Sequence, residues 1–199
     1  VTRSDPSYAG TFLFENNLLI NNGKNCINFD HSKGASAIYR NNTLFFNGVH
    51  NIIQDLSVAD GNPRHVGNNR VAGILANDVT SVIVANNIVV TRDSDYAALT
   101  FRNFSNKVVT NNIFRNGTTP DNFPPTVLNV DPKFVSVPET VDGPIDVSET
   151  DFSLRSDTPA INAGNPNYAA TLDINKNLRP AVGDTISSSS FENSEDGWT

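Results

Sequence analysis

The chain is 199 residues long, 18% charged and 38% hydrophobic, with a formal net charge of −7. That composition excludes a disordered chain, and no apolar run approaches the roughly 18 residues a membrane helix needs. The acidic balance and the lack of clustered Lys and Arg argue against a nucleic-acid partner.

From the N-terminus, the first regular feature is an Asn-Asn pair at 16–17, followed by the apolar run Leu18-Leu19-Ile20. Cys26, the sole cysteine, follows. It rules out an internal disulfide and is expected as a small core residue. Ile27-Asn28-Phe29 and Ala37-Ile38-Tyr39 then read as short strands before the next pair, Asn41-Asn42, and its run Thr43-Leu44-Phe45-Phe46. The same order returns as Ile74-Leu75-Ala76, Val82-Ile83-Val84, Asn86-Asn87 and Ile88-Val89-Val90. It returns again as Leu99-Thr100-Phe101, Val108-Val109, Asn111-Asn112 and Ile113-Phe114. The first two pairs and the last two pairs are each 25 residues apart, and the middle interval of 45 is close to two such units. Ile52-Ile53-Gln54 is read as the matching strand of an intervening unit, with residues 56–70 as a loop projecting from it.

A unit of three short strands and one Asn-Asn corner predicts an all-β, right-handed parallel β-helix of about five or more coils, strands stacking at about 4.8 Å. Asn suits the corner because it tolerates left-handed backbone angles, and its amide can bond its equivalents above and below. The division read from the chain is coils over 1–117, a closing segment over 118–186, and a linker with the start of another module over 187–199. With no methionine and no signal peptide, the sequence is expected to be part of a longer secreted protein whose further coils and modules are its partners. The sequons at Asn41, Asn103 and Asn116 say little in so Asn-rich a chain.

Aligning Ile27, Ile52, Ile74 and Leu99 places Asp30, Asp55, Asn77 and Arg102 in one column, and His31, Leu56, Asp78 and Asn103 in the next. Asp30, Asp55, Asn77 and Asp78 are the candidate ligands of a hard cation such as Ca²⁺. Lys33, Arg102 and His31 lie within reach as candidate catalytic groups, and Arg64, His65 and Tyr39 as candidate contacts to a polysaccharide. The bland alternative is that these are solvated residues where strands leave for a turn. The patch Arg92-Asp93-Ser94-Asp95-Tyr96 reads as a surface turn, and Phe101 and Phe104 as interior or ladder residues.

Residues 10–48, with Asn22-Gly23, Asn28-Phe29-Asp30 and Tyr39-Arg40-Asn41-Asn42-Thr43, resemble coils of secreted pectate-lyase-like β-helix proteins, most nearly the family 9 polysaccharide lyases. The stretch from Asp131-Pro132-Lys133-Phe134 through Asp151-Phe152-Ser153-Leu154-Arg155 to Thr158-Pro159-Ala160-Ile161-Asn162-Ala163-Gly164 resembles the closing tail of many extracellular bacterial β-helix proteins. Where that tail normally ends in a segment like Asp-Ile-Gly-Ala-Tyr-Glu, this chain has Gly183-Asp184-Thr185-Ile186. The resemblance implies a secreted enzyme that cleaves an acidic polysaccharide by calcium-assisted β-elimination. Two alternatives stay open: a non-catalytic rod or adhesin, with smooth faces and no pocket, and a glycan-binding module with a shallow groove and no acid–base pair.

Overall fold

The computed structural model describes residues 2–4, 7–22, 26–30, 32–48, 71–92, 96–117, 124–140 and 144–179. The strands are β1 (Thr2–Ser4), β2 (Thr11–Glu15), β3 (Leu18–Ile20), β4 (Ile27–Asp30), β5 (Ser32–Arg40) and β6 (Thr43–Asn47). After them come β7 (Val71–Ala85), β8 (Ile88–Thr91), β9 (Ala97–Thr110), β10 (Ile113–Arg115), β11 (Phe134–Ser136) and β12 (Asp151–Leu154). Among the described residues no helix is long and apolar enough to cross a membrane.

The fold is all-β and dominated by two parallel sheets. One runs β1-β4-β7-β5-β2, with β9 also on β7, and the other runs β10-β8-β6-β3. Between β2 and β5, and again between β7 and β9, partners such as Leu13 with Ile38 and Ile83 with Val108 lie 25 residues apart. The same interval joins Leu18 to Thr43 and Ile88 to Ile113 in the smaller sheet. The expected repeat is therefore the pairing register itself.

The middle interval is a correction. Arg40 pairs directly with Ala85 and Thr43 with Ile88, so the 45-residue spacing separates neighbouring strands. Ile27 likewise pairs with Ile74, so β4 and β7 are direct neighbours. Residues 49–70, including the expected strand at Ile52 and the expected loop, lie outside the described residues.

Each Asn-Asn pair makes the expected corner. Asn16, Asn41, Asn86 and Asn111 all take left-handed backbone angles, with φ of 55°, 54°, 58° and 52°. A side chain that tolerates this conformation is what the position requires. The second Asn of each pair turns inward and forms a ladder. Asn17 Nδ2 donates to Asn42 Oδ1 (2.8 Å), Asn42 Nδ2 to Asn87 Oδ1 (2.9 Å), and Asn87 Nδ2 to Asn112 Oδ1 (2.9 Å). Each acceptor oxygen also takes the backbone N–H of the neighbouring Asn. Asn42, Asn87 and Asn112 are fully buried, so these bonds satisfy groups that have no access to water.

Two apolar layers flank the smaller sheet. The inner core joins Phe29, Ala37, Tyr39, Ile74, Val82 and Leu99 of the larger sheet to Leu44, Val89 and Phe114 of the smaller one. The outer core packs Phe45, Ile88, Val90 and Ile113 against Phe134, Phe152, Leu154 and Ala160 of the C-terminal region. The antiparallel pair β11 and β12 brings Phe134 and Phe152 edge-on to Phe45, at 6.0 and 5.2 Å. Burying each such side chain is worth about 1.5–3 kcal/mol.

Beyond β12 the chain runs along the Asn corner. Asn111 Nδ2 donates to Ala163 O (2.6 Å) and Asn86 Nδ2 to Asn165 O (2.9 Å), while Asn86 Oδ1 accepts from Asn165 N (2.7 Å). Asn41 Oδ1 then accepts from Ala170 N (2.8 Å), and Asn16 Nδ2 donates to Leu172 O (2.8 Å). The first Asn of every pair thus holds the tail, which passes the pairs in reverse order.

Candidate functional site

Strand alternation sets the polar face of the larger sheet. In β4, Ile27 and Phe29 point into the core while Asn28 and Asp30 are half-buried on the other face. β7 repeats this with Ile74 and Ala76 inward and Leu75 and Asn77 outward, and in register Asn77 pairs with Arg102 of β9. Asn77 Nδ2 donates to Asp30 Oδ1 at 2.6 Å, so Asp30, Asn77 and Arg102 do form one row across three neighbouring strands.

The next position is a bend within continuous strands. Asp78 and Asn103 both take left-handed φ, 52° and 48°, and Asn103 Nδ2 donates to Asp78 Oδ1 at 2.9 Å. The second column is therefore also real for these two residues. Lys33 follows in a β-bulge: Ser32 pairs with Val79 but Ser36 with Ser81, so β5 carries two residues more than β7 over that stretch. Gly34 belongs to the bulge, where an added Cβ would lie 3.1 Å from that of Ala9. Lys33 is exposed, and its carbonyl accepts from Thr80 Oγ1 at 2.5 Å. Bulges of this kind re-aim a side chain beside a site.

Two acceptors on this face are buried and have no hydrogen-bond partner: Asn77 Oδ1 and Asn28 Oδ1. Such groups are rare and call for a bound species or a stored cost. The donor set Asp30, Asn77 and Asp78 consists of oxygens alone, as a hard cation prefers, although one oxygen of each carboxylate already accepts from an amide. Among the described residues no three His, Cys, Asp or Glu side chains come together in a metal-sized group.

The remaining expected residues fare differently. Tyr39 is corrected: it is wholly buried, its ring stacked on Phe14 at 5.1 Å, so it is a core residue and not a surface for sugar. His31, Asp55, Arg64 and His65 all lie outside the described residues.

A feature missed from sequence is a cleft of about 230 Å³ between the Asn corner and the C-terminal region. Asn16, Asn41, Thr43, Asp151, Phe152 and Ile174 are among its walls, and among the described residues no Lys or Arg lines it. Amide, hydroxyl and carboxylate groups beside aliphatic surface suit a neutral hydroxylated group better than an anion. Its walls come from residues more than a hundred positions apart, so no local motif announces it. Neither a scan of protein-family models nor searches of curated proteins and solved structures finds a match to this chain.

Proposed function

We propose that this chain winds as a right-handed parallel β-helix of a secreted, carbohydrate-active protein, and that its polar face binds an acidic polysaccharide. Parallel pairing at a 25-residue offset in both sheets supports the winding. The right hand follows from the general bias of parallel crossover connections.

The observation that carries the functional reading is the row Asp30, Asn77 and Arg102 beside Asp78 and Lys33, with the buried Asn77 oxygen unsatisfied. Asp30, Asp78 and Asn77 would hold calcium, which would supply neutralisation of a uronate carboxylate and so a more acidic C5 proton. Lys33 or Arg102 would take that proton, the C5–H pair would form the C4–C5 double bond, and the C4–O pair would leave on the departing sugar's oxygen, which takes a proton from water.

The cleft at the Asn corner favours a second reading, a glycan-binding module without chemistry. Both are tested by incubating the full chain with polygalacturonate and alginate, with and without calcium, while ultraviolet absorbance of unsaturated uronates is followed. Calcium-dependent product, abolished by Asp30→Ala and by Lys33→Ala with Arg102→Ala, is expected. Binding without product selects the module, and neither binding nor product overturns the proposal.

A further inference from the structure

Lys107 occupies a position that belongs to the core. In register, Ala37 pairs with Val82 and Val82 with Lys107, and both apolar members are fully buried. Phe12 holds the same column in β2 and packs against the inner core. Phe101 and Phe104 stand in line with the buried Ala76 and Val79. The last strand of the larger sheet therefore ends the inner core with two rings and an ammonium group.

The local geometry shows what the ammonium does there. Lys107 Nζ lies 5.9 Å from the centre of the Phe101 ring and 5.4 Å from that of Phe104, the two rings meeting edge to face at 5.9 Å. Residues 102–108 are all exposed, whereas in β7 the inward members of the same stretch are buried. Among the described residues β9 pairs with β7 alone. Among the described residues this leaves an open parallel edge over an apolar end, with Phe104 36% exposed. Such an edge invites another strand, and an inward-pointing charge is one of the devices that deters it. Burying that ammonium without an anion is costly. β9 offers no anion: residues 97–110 contain Arg102 and Lys107 and no Asp or Glu, in a chain whose net charge is −7.

We propose that Lys107 ends the larger sheet by keeping the β9 edge unpaired, and that loss of its charge lets two copies of this chain join through their β9 edges. An isologous pairing about a two-fold axis brings the Phe101–Phe104 end of each copy onto the other. In the native chain the same approach buries two ammonium groups and sets Arg102 and Lys107 of one copy against those of the next. This inference does not depend on what the polar face binds.

The test is sedimentation velocity over a micromolar concentration series on the full chain, with amide hydrogen exchange on the same samples. The native chain and Lys107→Arg should sediment as monomers. Lys107→Val should show a two-fold rise in mass at high concentration, with slowed exchange confined to β9. Lys107→Gln, which keeps the side-chain length, should associate in the same way and stands in if Lys107→Val loses its circular dichroism. Monomeric Lys107→Gln, association with protection outside β9, or a native chain already dimeric through β9 each overturns the inference.

Discussion

Removing the Asn87 side chain tests whether the amide ladder is the main polar support of the fold. Asn87 is fully buried and makes five side-chain hydrogen bonds. Its Oδ1 accepts from the N–H (3.0 Å) and Nδ2 (2.9 Å) of Asn42, and its Nδ2 donates to Asn112 Oδ1 (2.9 Å), Tyr39 O (2.9 Å) and Ala85 O (3.0 Å). In Asn87→Ala, Asn42 Nδ2 still reaches Phe14 O, and Asn112 Oδ1 still accepts from the backbone N–H of residue 87. The Asn42 N–H loses its ladder acceptor inside the core. At about 1 kcal/mol net per bond, with a further cost for the stranded N–H, the loss should be about 3–5 kcal/mol. For a chain of this size that is a fall in Tm of about 6–20 °C. Asn17, half-buried at the end of the ladder, donates its amide among the described residues to Asn42 Oδ1 and Glu15 O, so Asn17→Ala should cost about 1 kcal/mol. Urea unfolding followed by circular dichroism measures both. Equal costs for the two variants would refute the reasoning, because burial and bond number would then not set the strength of the ladder.

Three further outcomes follow from single groups. The Tyr39 hydroxyl is buried without a hydrogen-bond partner, so Tyr39→Phe should leave stability unchanged or raise it by up to about 1 kcal/mol in the same urea assay. Burial pushes the Cys26 thiol from 9.0 up to about 12, against a smaller opposing effect of the Asn22 amide. The folded chain then keeps a proton that the unfolded chain releases, so this contribution is full below pH 9 and is lost as pH rises from about 9 to 12. Cys26→Ala should flatten that alkaline slope, and native Cys26 should stay inert to a disulfide reagent that modifies it after unfolding. Asn86→Ala removes two bonds to the Asn165 backbone and should cost about 1–2 kcal/mol, with faster proteolysis within residues 160–179.

The parts of the fold that were legible in the sequence are those where a backbone need repeats. Left-handed angles at Asn16, Asn41, Asn86 and Asn111, and the ladder beside them, leave an Asn-Asn signature because few side chains satisfy both demands. The row through Asp30, Asn77 and Arg102 was legible for the same reason, since register carries equivalent positions together. The 45-residue interval was misread because spacing alone does not separate an insertion from another turn of chain. It falls five residues short of two 25-residue periods, which was the available signal. The bulge at Lys33 shows only as a change of offset, from 47 at Ile27 and Ile74 to 45 at Ser36 and Ser81. The tail carries a motif through Gly164, but its docking on the Asn corner was not legible, because Ala163, Asn165, Ala170 and Leu172 bind through backbone atoms.

The two members of each Asn-Asn pair divide the labour, and the left-handed first residue is why they can. In an extended strand, successive side chains also diverge, but a left-handed residue adds a sharp turn that sends one amide into the core and the other along the outside. The inner amide ties neighbouring strands together, and the outer one receives a tail whose apolar side covers the smaller sheet through Phe134 and Phe152. Loss of the outer amide should therefore loosen the tail and expose the outer core while leaving the ladder intact. Loss of the inner amide should weaken the sheets and the tail together, because the tail has no corner to follow once the ladder fails. The outer face of the larger sheet stands apart from both. It carries Asp30, Asn77, Lys33 and Arg102 on strands that the ladder holds in register, so a polar surface spanning several strands survives without the tail covering it.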